Sequence, residues 1–547
     1  MTIENYIINA ILNQKNVSEK QLDVIKHRAS FEYKSPIPTN INLLKSYHKL
    51  VSSNRLKPSS VLENILKTRK VRSLSGIAAI TVITKPYPCP GKCLYCPQEK
   101  NMPKSYLANE PACMRAVLTK FDPYKQTKAR LDSLEMTGHN TEKIELIVLG
   151  GTWSYYNKKY QEWFIKRCFQ ACNTKSKIQS PKSKQTLKRA QKINEKTKHR
   201  IIGLTLETRP DYIDKEEIKR LRWLGTTRIE LGVQSTYKDV LEQNNRGHDL
   251  EKTIEATKLL KNAGIKVTYH MMPGLPGSSF KRDIKMFREL FSNSDFQPDQ
   301  LKIYPCVVLK NAPLYKLWRN KKYKPYDEKQ LLKLLTEIKK DIPPYVRIVR
   351  IIRDIPSQSI VAGSKTSNLR QLLEQRKVKC NCIRCREVKG SKFDVRSIKL
   401  IRREYDASNG KEIFLSFEDI KNNKLLAFLR LRLVHRSLGE GGTLPVLKNC
   451  AIIRELHVYG RVVEISGKNK NAQQHQSLGK QLMTEAEKIA KKEFGIHPVK
   501  SRKAGSPEAK FNRVKKIAVI AGIGVREYYK KLGYKLKDEY MIKNLKY

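Results

Sequence analysis

The sequence predicts an α/β chain in two main parts, a partial (βα)6 barrel and a smaller α+β domain behind it. Two observations carry this. Between about residues 75 and 306, six short apolar runs alternate with amphipathic stretches, as parallel strands with outer helices require. From about residue 398 the order changes to a run of strands with a few helices, the pattern of a separate domain of about 150 residues. The length, 547 residues, is too great for one ordinary core.

The barrel strands are expected at Ile77–Ile83, Ile144–Leu149, Ile201–Leu206, Arg228–Val233, Ile265–His270 and Leu301–Tyr304. Glu251–Ala263 reads as a helix closed by Gly264, which takes a left-handed cap without a Cβ clash. Six strands favour a partial barrel over the full eight. Residues 1–70 read as a basic helical region that buries little by itself and packs on a partner or on the barrel. The barrel domain spans 71–375. Within it Thr174–Arg200 holds ten Lys/Arg and a single acid, Glu195, and reads equally as a basic insertion or as a solvated surface helix hairpin. Residues 376–397 form a cysteine-bearing linker and 398–547 the second domain. There, strands are expected at Glu412–Phe417, Leu425–Val434, Ile452–Tyr459, Lys516–Ile520 and near Tyr534–Ile542, with helices at Leu478–Glu493 and Arg526–Leu532.

Composition narrows the partners. Lys plus Arg number 109 against 52 Asp plus Glu, a formal charge of +57. Such an excess repels itself unless polyanions lie nearby, and it favours nucleic acid over an acidic small molecule. Lysine bias of the whole surface is the bland alternative. Hydrophobic residues make up 39%, enough for real cores. No apolar run approaches the roughly 18 residues of a membrane helix, and the N-terminus carries no signal-peptide pattern, so a soluble cytoplasmic protein is expected. Six of the eleven cysteines fall in two tight groups, which suggests metal ligation in a reducing compartment.

The first group is Cys89-Pro-Gly-Lys-Cys93-Leu-Tyr-Cys96, directly after the first strand. Three thiolates on one tight loop can hold three irons of a four-iron cluster and leave the fourth open to a ligand. A structural zinc would want a fourth ligand close by, and none is evident. The motif, with Tyr95 before the last cysteine, resembles the radical S-adenosylmethionine (SAM) superfamily. The resemblance implies a [4Fe–4S] cluster whose open iron chelates SAM and whose reduced form generates a 5′-deoxyadenosyl radical. It implies SAM contacts at Gly150, Gly151 and Thr152 after the second strand, and at Glu207 and Arg209 after the third. Glu230 and Gln234 close the fourth strand.

In the C-terminal part, Gln474-His-Gln476-Ser-Leu478-Gly479-Lys480 opens a helix and resembles the pyrophosphate loop of GNAT-type acetyltransferases, with Ser477 where that family usually has Gly. A helix N-terminus with bared amides suits the pyrophosphate of coenzyme A. The resemblance implies that Glu455, Leu456, His457 and Val458 pair with the pantetheine arm through backbone groups. It also implies that Tyr528 or Tyr529 acts as an acid or acetyl-CoA contact, Tyr528 before Tyr529. The alternative for these tyrosines is a half-buried structural role.

Both halves in one chain, with Glu110-Pro-Ala-Cys-Met-Arg115, Gly232-Val-Gln-Ser235, Asn245-Arg-Gly-His248, His270-Met-Met-Pro273 and Arg353-Asp-Ile-Pro356, resemble the catalytic subunit of Elongator and its single-chain archaeal and bacterial relatives. That resemblance implies a tRNA uridine carboxymethyltransferase. In the reaction so implied, a deoxyadenosyl radical takes hydrogen from the acetyl methyl of acetyl-CoA, the carbon radical adds to C5 of the wobble uridine in the anticodon stem-loop, and thioester hydrolysis with loss of an electron leaves 5-carboxymethyluridine. It implies an acetyl-CoA contact at Lys143, and an assembly that is either a homodimer or Elongator-like. Lys302 and Tyr304 fall at the same mouth. The second group, Cys380-Asn-Cys382-Ile-Arg-Cys385, suits a tetrahedral zinc, with unliganded thiols as the alternative and the fourth ligand unassigned. The competing function is a protein lysine acetyltransferase with a structural iron–sulfur domain.

Overall fold

A computed structural model describes residues 1–14, 17–68, 75–173, 185–388, 393–434, 442–459, 478–493 and 516–545. The chain opens with four helices, Ile3–Leu12, Glu19–Glu32, Asn40–Ser52 and Ser60–Leu66. Thr2, Ser18, Thr39 and Ser59 cap them by accepting a backbone N–H of the first turn. The expectation that this region buries little alone is corrected. Ile7, Ile8 and Ile11 close against Leu43, Leu44, Leu62 and Leu66 in a core of its own. Each helix offers only a narrow apolar stripe, and four stripes together suffice.

Six parallel strands follow as expected: β1 (Ala78–Ile83), β2 (Lys143–Leu149), β3 (Arg200–Thr208), β4 (Arg228–Gln234), β5 (Lys266–Met271) and β6 (Gln300–Ile303). After β6 a short ribbon pairs β7 (Val308–Leu309) with β9 (Ile360–Ala362). Between them β8 (Arg347–Arg350) adds a seventh parallel strand beside β6 and extends the sheet beyond the six expected. Strand residues such as Leu204, Leu206, Ile229, Leu231, Val233 and Val267 are buried with Phe164, Phe169, Leu221, Leu260 and Phe287 of the outer helices.

The basic stretch before β3 is only in part an insertion. Its residues 174–184 lie outside the described residues, and Leu187–Asn194 is the second of two helices between β2 and β3, after Lys158–Cys172. Leu187, Ala190, Gln191 and Asn194 are buried, and Asn194 takes the N–H of Ile201 at 2.8 Å and donates to the His199 carbonyl at 3.0 Å. Lysines mask this packing in the sequence, because they sit on the other face.

The C-terminal domain is a seven-stranded mixed sheet. Its strands are β10 (Ile398–Asp406), β11 (Gly410–Asp419), β12 (Lys424–Val434), β13 (Cys450–Val458), β14 (Lys516–Val519), β15 (Lys535–Lys537) and β16 (Tyr540–Asn544). They lie in the order β10-β11-β12-β13-β14-β16-β15. All pairs are antiparallel except β13–β14. The last expected strand is a hairpin instead, because Asp538 (φ 42°) and Glu539 (φ 68°) turn the chain with positive φ and no glycine. The helix Leu478–Glu493 packs on this sheet through Leu482, Met483, Ala486 and Ile489.

The two domains meet at the N-terminal ends of the barrel strands. Lys266, opening β5, holds Glu455 of β13 at 3.0 Å, and Tyr540 donates to the Ala263 carbonyl at 2.7 Å. Gly522 lies so close to β3 that a Cβ there would stand 1.9 Å from the Ile202 carbonyl oxygen. The opposite, C-terminal ends of the strands carry the loops that form the mouth.

Candidate functional site

The cysteine loop leaves β1 at the mouth and is pinned there. Leu94 donates to the Asn244 carbonyl at 3.1 Å, and Leu314 donates to the Leu94 carbonyl at 2.8 Å. Arg246 Nη1 stands 3.5 Å from Cys93 Sγ, and Thr152 Oγ1 is 3.7 Å from Cys89 Sγ. Burial alone would raise the Cys93 thiol, but Arg246, with help from Arg209, takes it below the usual thiol value. Burial, reinforced by Cys93, pushes Cys96 up to about 12.

Arg209 lies beneath this loop. It grips Asp211 with two hydrogen bonds, 2.9 and 2.8 Å, and donates to the Gly247 carbonyl at 3.2 Å. Its third nitrogen, Nη1, is buried with no hydrogen-bond partner. A Cβ on Gly91 would fall 2.6 Å from that nitrogen, so the loop closes over the guanidinium only because residue 91 is glycine. Gly150 (φ 138°) and Gly151 (φ 95°) turn the chain after β2, and a Cβ on Gly150 would strike Thr84 Oγ1 at 1.8 Å. Tyr156 locks this turn, its hydroxyl lying 2.7 Å from Thr84 Oγ1 and donating to the Gly150 carbonyl at 2.9 Å.

Deeper in the barrel stands a charged column. Tyr106 donates to Glu207 at 2.7 Å, and His270 lies between Glu207 (3.6 Å) and Glu230 (3.0 Å). Lys302 pairs with Glu230, and the Tyr304 ring meets His270 edge-on at 5.3 Å. Burial opposes the Glu230 charge, but Lys302 and His270 outweigh it and hold the carboxyl well below its usual range. Sequence reasoning placed Glu207, Arg209 and Glu230 here but gave no role to Arg246, Asp211, Tyr106 or His270. Arg246 and His270 stood within stretches already noted, Asn245-Arg-Gly-His248 and His270-Met-Met-Pro273, whose spatial convergence no spacing reveals.

These residues fit the expected group. The thiols sit beside two guanidiniums, one with an unsatisfied buried donor, and glycines leave room for a ligand against the backbone.

The second half-site lies in the C-terminal domain. β13 pairs with β14 from Cys450 to Ile453, where β14 ends at Val519, and its remaining residues to Val458 run on beyond that partner and leave a fork in the sheet. At this fork a Cβ on Gly479 would lie 3.4 Å from Tyr528 Oη, 3.4 Å from Val458 Cγ2 and 4.0 Å from Leu456 Cδ2. Four expected residues therefore converge where the helix Leu478–Glu493 begins. Lys480 is exposed beside them and Leu478 is buried in the domain core. Gln474 and Gln476 lie outside the described residues.

One of the expected residues is placed otherwise. Tyr529 is a core residue, 6% exposed, wedged between Tyr528 and Tyr534 at 5.2 and 6.1 Å, and is not available as a contact. The side chains of Glu455 and His457 leave the fork. Glu455 binds Lys266 and Arg430 at 3.0 Å each, and His457 packs on Tyr459 at 4.2 Å, where burial pulls it down to about 4. Only their backbone can serve the fork. Lys143 opens β2, at the strand end opposite Gly150, and burial lowers its ammonium.

In the linker, the sulfurs of Cys380, Cys382 and Cys385 lie within 4.8 Å of one another, close enough to share a single ion. Cys382 is fully buried, and hydrogen bonds from Cys380 and Cys385 draw it far below the ordinary thiol value. This triad fits a thiophilic metal on its donors and spacing.

A parallel barrel with three thiols on its first loop defines the radical SAM class. Residues 87–290 match the radical SAM superfamily and 298–378 the Radical_SAM C-terminal domain. The chain is 44% identical to the tRNA uridine(34) acetyltransferase of Methanocaldococcus infernus, over 98% of both chains. It is 38% identical to Elongator complex protein 3 of Homo sapiens, over 89% of this chain and 87% of that one. The solved archaeal Methanocaldococcus infernus Elp3 with an N-terminus deletion (1–46) superposes with a TM-score of 0.70 at 43% identity, covering 86% of this chain and 100% of that chain. The chain belongs to the family of tRNA uridine(34) acetyltransferases and Elongator complex protein 3.

Proposed function

We propose that the protein modifies the wobble uridine of tRNA, joining an acetyl-derived carboxymethyl unit from acetyl-CoA to C5 by SAM-dependent radical chemistry. The observation that carries this is the coexistence, in one chain, of the Cys89–Cys93–Cys96 loop over an unsatisfied Arg209 and the β13–β14 fork at Gly479 and Tyr528. No helix among the described residues is long and apolar enough to cross a membrane.

Cys89, Cys93 and Cys96 would hold a [4Fe–4S] cluster, which together with SAM supplies a carbon radical able to take hydrogen from an unactivated C–H bond. Arg209 is held by Asp211 so that its free Nη1 meets a carboxylate, and Gly150 and Gly151 offer backbone to the same ligand. Arg246 stabilises Cys93 as thiolate. Glu207 is an acceptor fixed by Tyr106. His270 and Lys302 keep Glu230 ionised, so the pocket floor carries a fixed charge pattern that need not reorganise. At the fork, the backbone of Leu456 and Val458 pairs with the pantetheine arm. The amides at the start of the Leu478 helix face its pyrophosphate, and the Tyr528 hydroxyl can protonate a departing thiolate. Cys380, Cys382 and Cys385 hold a structural zinc that ties the linker between the domains.

The test is anaerobic reconstitution with iron, sulfide, reductant, SAM, acetyl-CoA and transcribed tRNA, followed by nucleoside mass analysis. A carboxymethyl gain on uridine is expected. No gain with a spectroscopically intact cluster overturns the reading.

A further inference from the structure

We propose that Tyr87, Tyr155 and Tyr212 form a stacking platform for an unpaired nucleobase next to the uridine presented at the cysteine loop. The inference rests on the function proposed above and adds to it the surface that steadies the RNA.

The three rings come from three different strand-end loops on one rim. Tyr87 precedes Cys89 by two residues, Tyr155 follows Thr152 by three, and Tyr212 follows Arg209 by three. Thr152 touches Cys89, and Arg209 lies under Gly91, so all three tyrosines are anchored beside the loop. The Tyr155 ring meets Tyr87 at 6.0 Å and Tyr212 at 5.9 Å, both edge-to-face. Behind them Tyr87 stacks on Tyr156 at 4.6 Å, and Tyr156 stacks on Tyr160 at 5.4 Å. Tyr87 is therefore fixed in angle by a second row, and Tyr155 and Tyr212 are steadied through their edge contacts to it and to each other, which limits the rotamer entropy lost when a base docks.

Core filling does not account for them. Trp153 and Phe164, packed at 6.1 Å beneath, already fill the space under the loop. Tyr155 stays 40% exposed, a cost for a large ring that a partner would repay. The surroundings suit a polyanion. Lys85 is exposed and lies 4.9 Å over the Tyr160 ring, and Lys159 is exposed. Four acids lie nearby: Asp211 is held by Arg209, Glu217 by Lys158 at 2.5 Å, Asp214 accepts the Glu217 N–H at 2.7 Å, and Glu216 is exposed. Beside Tyr212 an open cavity of about 670 Å³, lined by Ser154, Trp223, the cations Lys158, Lys219 and Arg220 and the four acids just named, gives a loop nucleotide room. Flat rings with fringe lysines fit single-stranded bases, since every base has a π-face and the loop must be splayed for a uridine to enter.

The experiment uses the full chain and an anticodon stem-loop RNA carrying 2-aminopurine on either side of the target uridine. Binding to the native chain should quench the fluorophore. Tyr155→Ala and Tyr212→Ala should abolish the quench and weaken RNA binding about tenfold. The dependence of binding on salt should keep its slope, because no phosphate contact is lost. Tyr155→Trp should retain quench and affinity, which separates stacking from misfolding. Native affinity and quench in both alanine variants overturn the inference. So does a reduced salt slope, or binding of a protein partner that the alanine variants lose while RNA binding stays intact. Failure of the native chain to modify uridine would instead overturn the function reading and leave the quench result to stand or fall by itself.

Discussion

Arg454 donates from Nη2 to Oδ2 of Asp299 at 2.6 Å and from Nη1 to Oδ1 at 2.9 Å, a two-point grip across the domain boundary. Both residues are fully buried, and Nη1 of Arg454 also reaches Glu412 at 2.9 Å. Lys261 and Arg432 complete the cluster around Glu412 and Asp299. Arg454 belongs to the same strand segment as Leu456 and Val458 of the fork, so the interface and the fork share one strand.

Removing one partner leaves buried charges uncompensated. Arg454→Met should cost about 3–5 kcal/mol in urea unfolding, and Arg454→Met with Asp299→Asn should cost less than the sum of the two single changes.

A pH dependence follows from Glu455. Burial works against its carboxylate, but Lys266 and Arg430 outweigh it and bring it down to about 2. A depressed folded value means stability that is present above the unfolded value near pH ~4.3 and is lost as pH falls through about 2. Thermal unfolding against pH should show this loss, worth about 3 kcal/mol, in the native chain. Glu455→Gln should be less stable at neutral pH, with the gap narrowing across that acid window.

At the mouth, Gly91→Ala should displace Arg209, whose Nη1 would lie 2.6 Å from the new Cβ. SAM cleavage to 5′-deoxyadenosine should fall at least about tenfold, the scale of one lost charge-assisted contact, while the melting temperature stays near native. Unchanged cleavage would show that Arg209 has no part in ligand binding.

The two adjacent tyrosines should separate cleanly. Tyr528→Phe should reduce acetyl-CoA turnover by about 100-fold without loss of stability, the lower range for an acid–base group. Tyr529→Phe should be nearly silent, whereas Tyr529→Ala should destabilise the C-terminal domain by about 3–5 kcal/mol through the cavity it leaves.

Replacing Cys380, Cys382 and Cys385 by Ser should remove one equivalent of thiophilic metal measured by elemental analysis. It should lower the melting temperature and leave iron content unchanged. Lost iron with retained zinc would refute the division of labour between the two cysteine groups.

Much of this was legible in advance because buried parallel strands read as continuous apolar runs, and β1 to β6 are such runs. β8 escaped notice because Arg-Ile-Val-Arg is four residues long and half charged. β10 is an edge strand with charged Lys399, Arg402, Glu404 and Asp406 exposed, and the 540 hairpin turns on Asp-Glu instead of glycine. The cysteine loop announces itself by spacing. Arg246 and His270 do not, since they reach the mouth from positions distant in the chain that only the curved sheet brings together. Tyr528 and Tyr529 are neighbours on one helix, about 100° apart, and only packing decides which one faces the fork.

The joint at Gly522 is a weld and not a hinge. Backbone there rests on backbone, with a Cβ position 1.9 Å from the Ile202 carbonyl and, at Gly524, 2.6 Å from Arg200 Cβ. At Gly522 no side chain stands between the two backbones to flex or to be swapped for a smaller one, so even a small rotation there would drive one chain into the other. The barrel and the C-terminal sheet thus keep one frame of reference, and whatever must travel between the fork and the mouth has to cover the distance itself, because the two halves cannot swing together to shorten it.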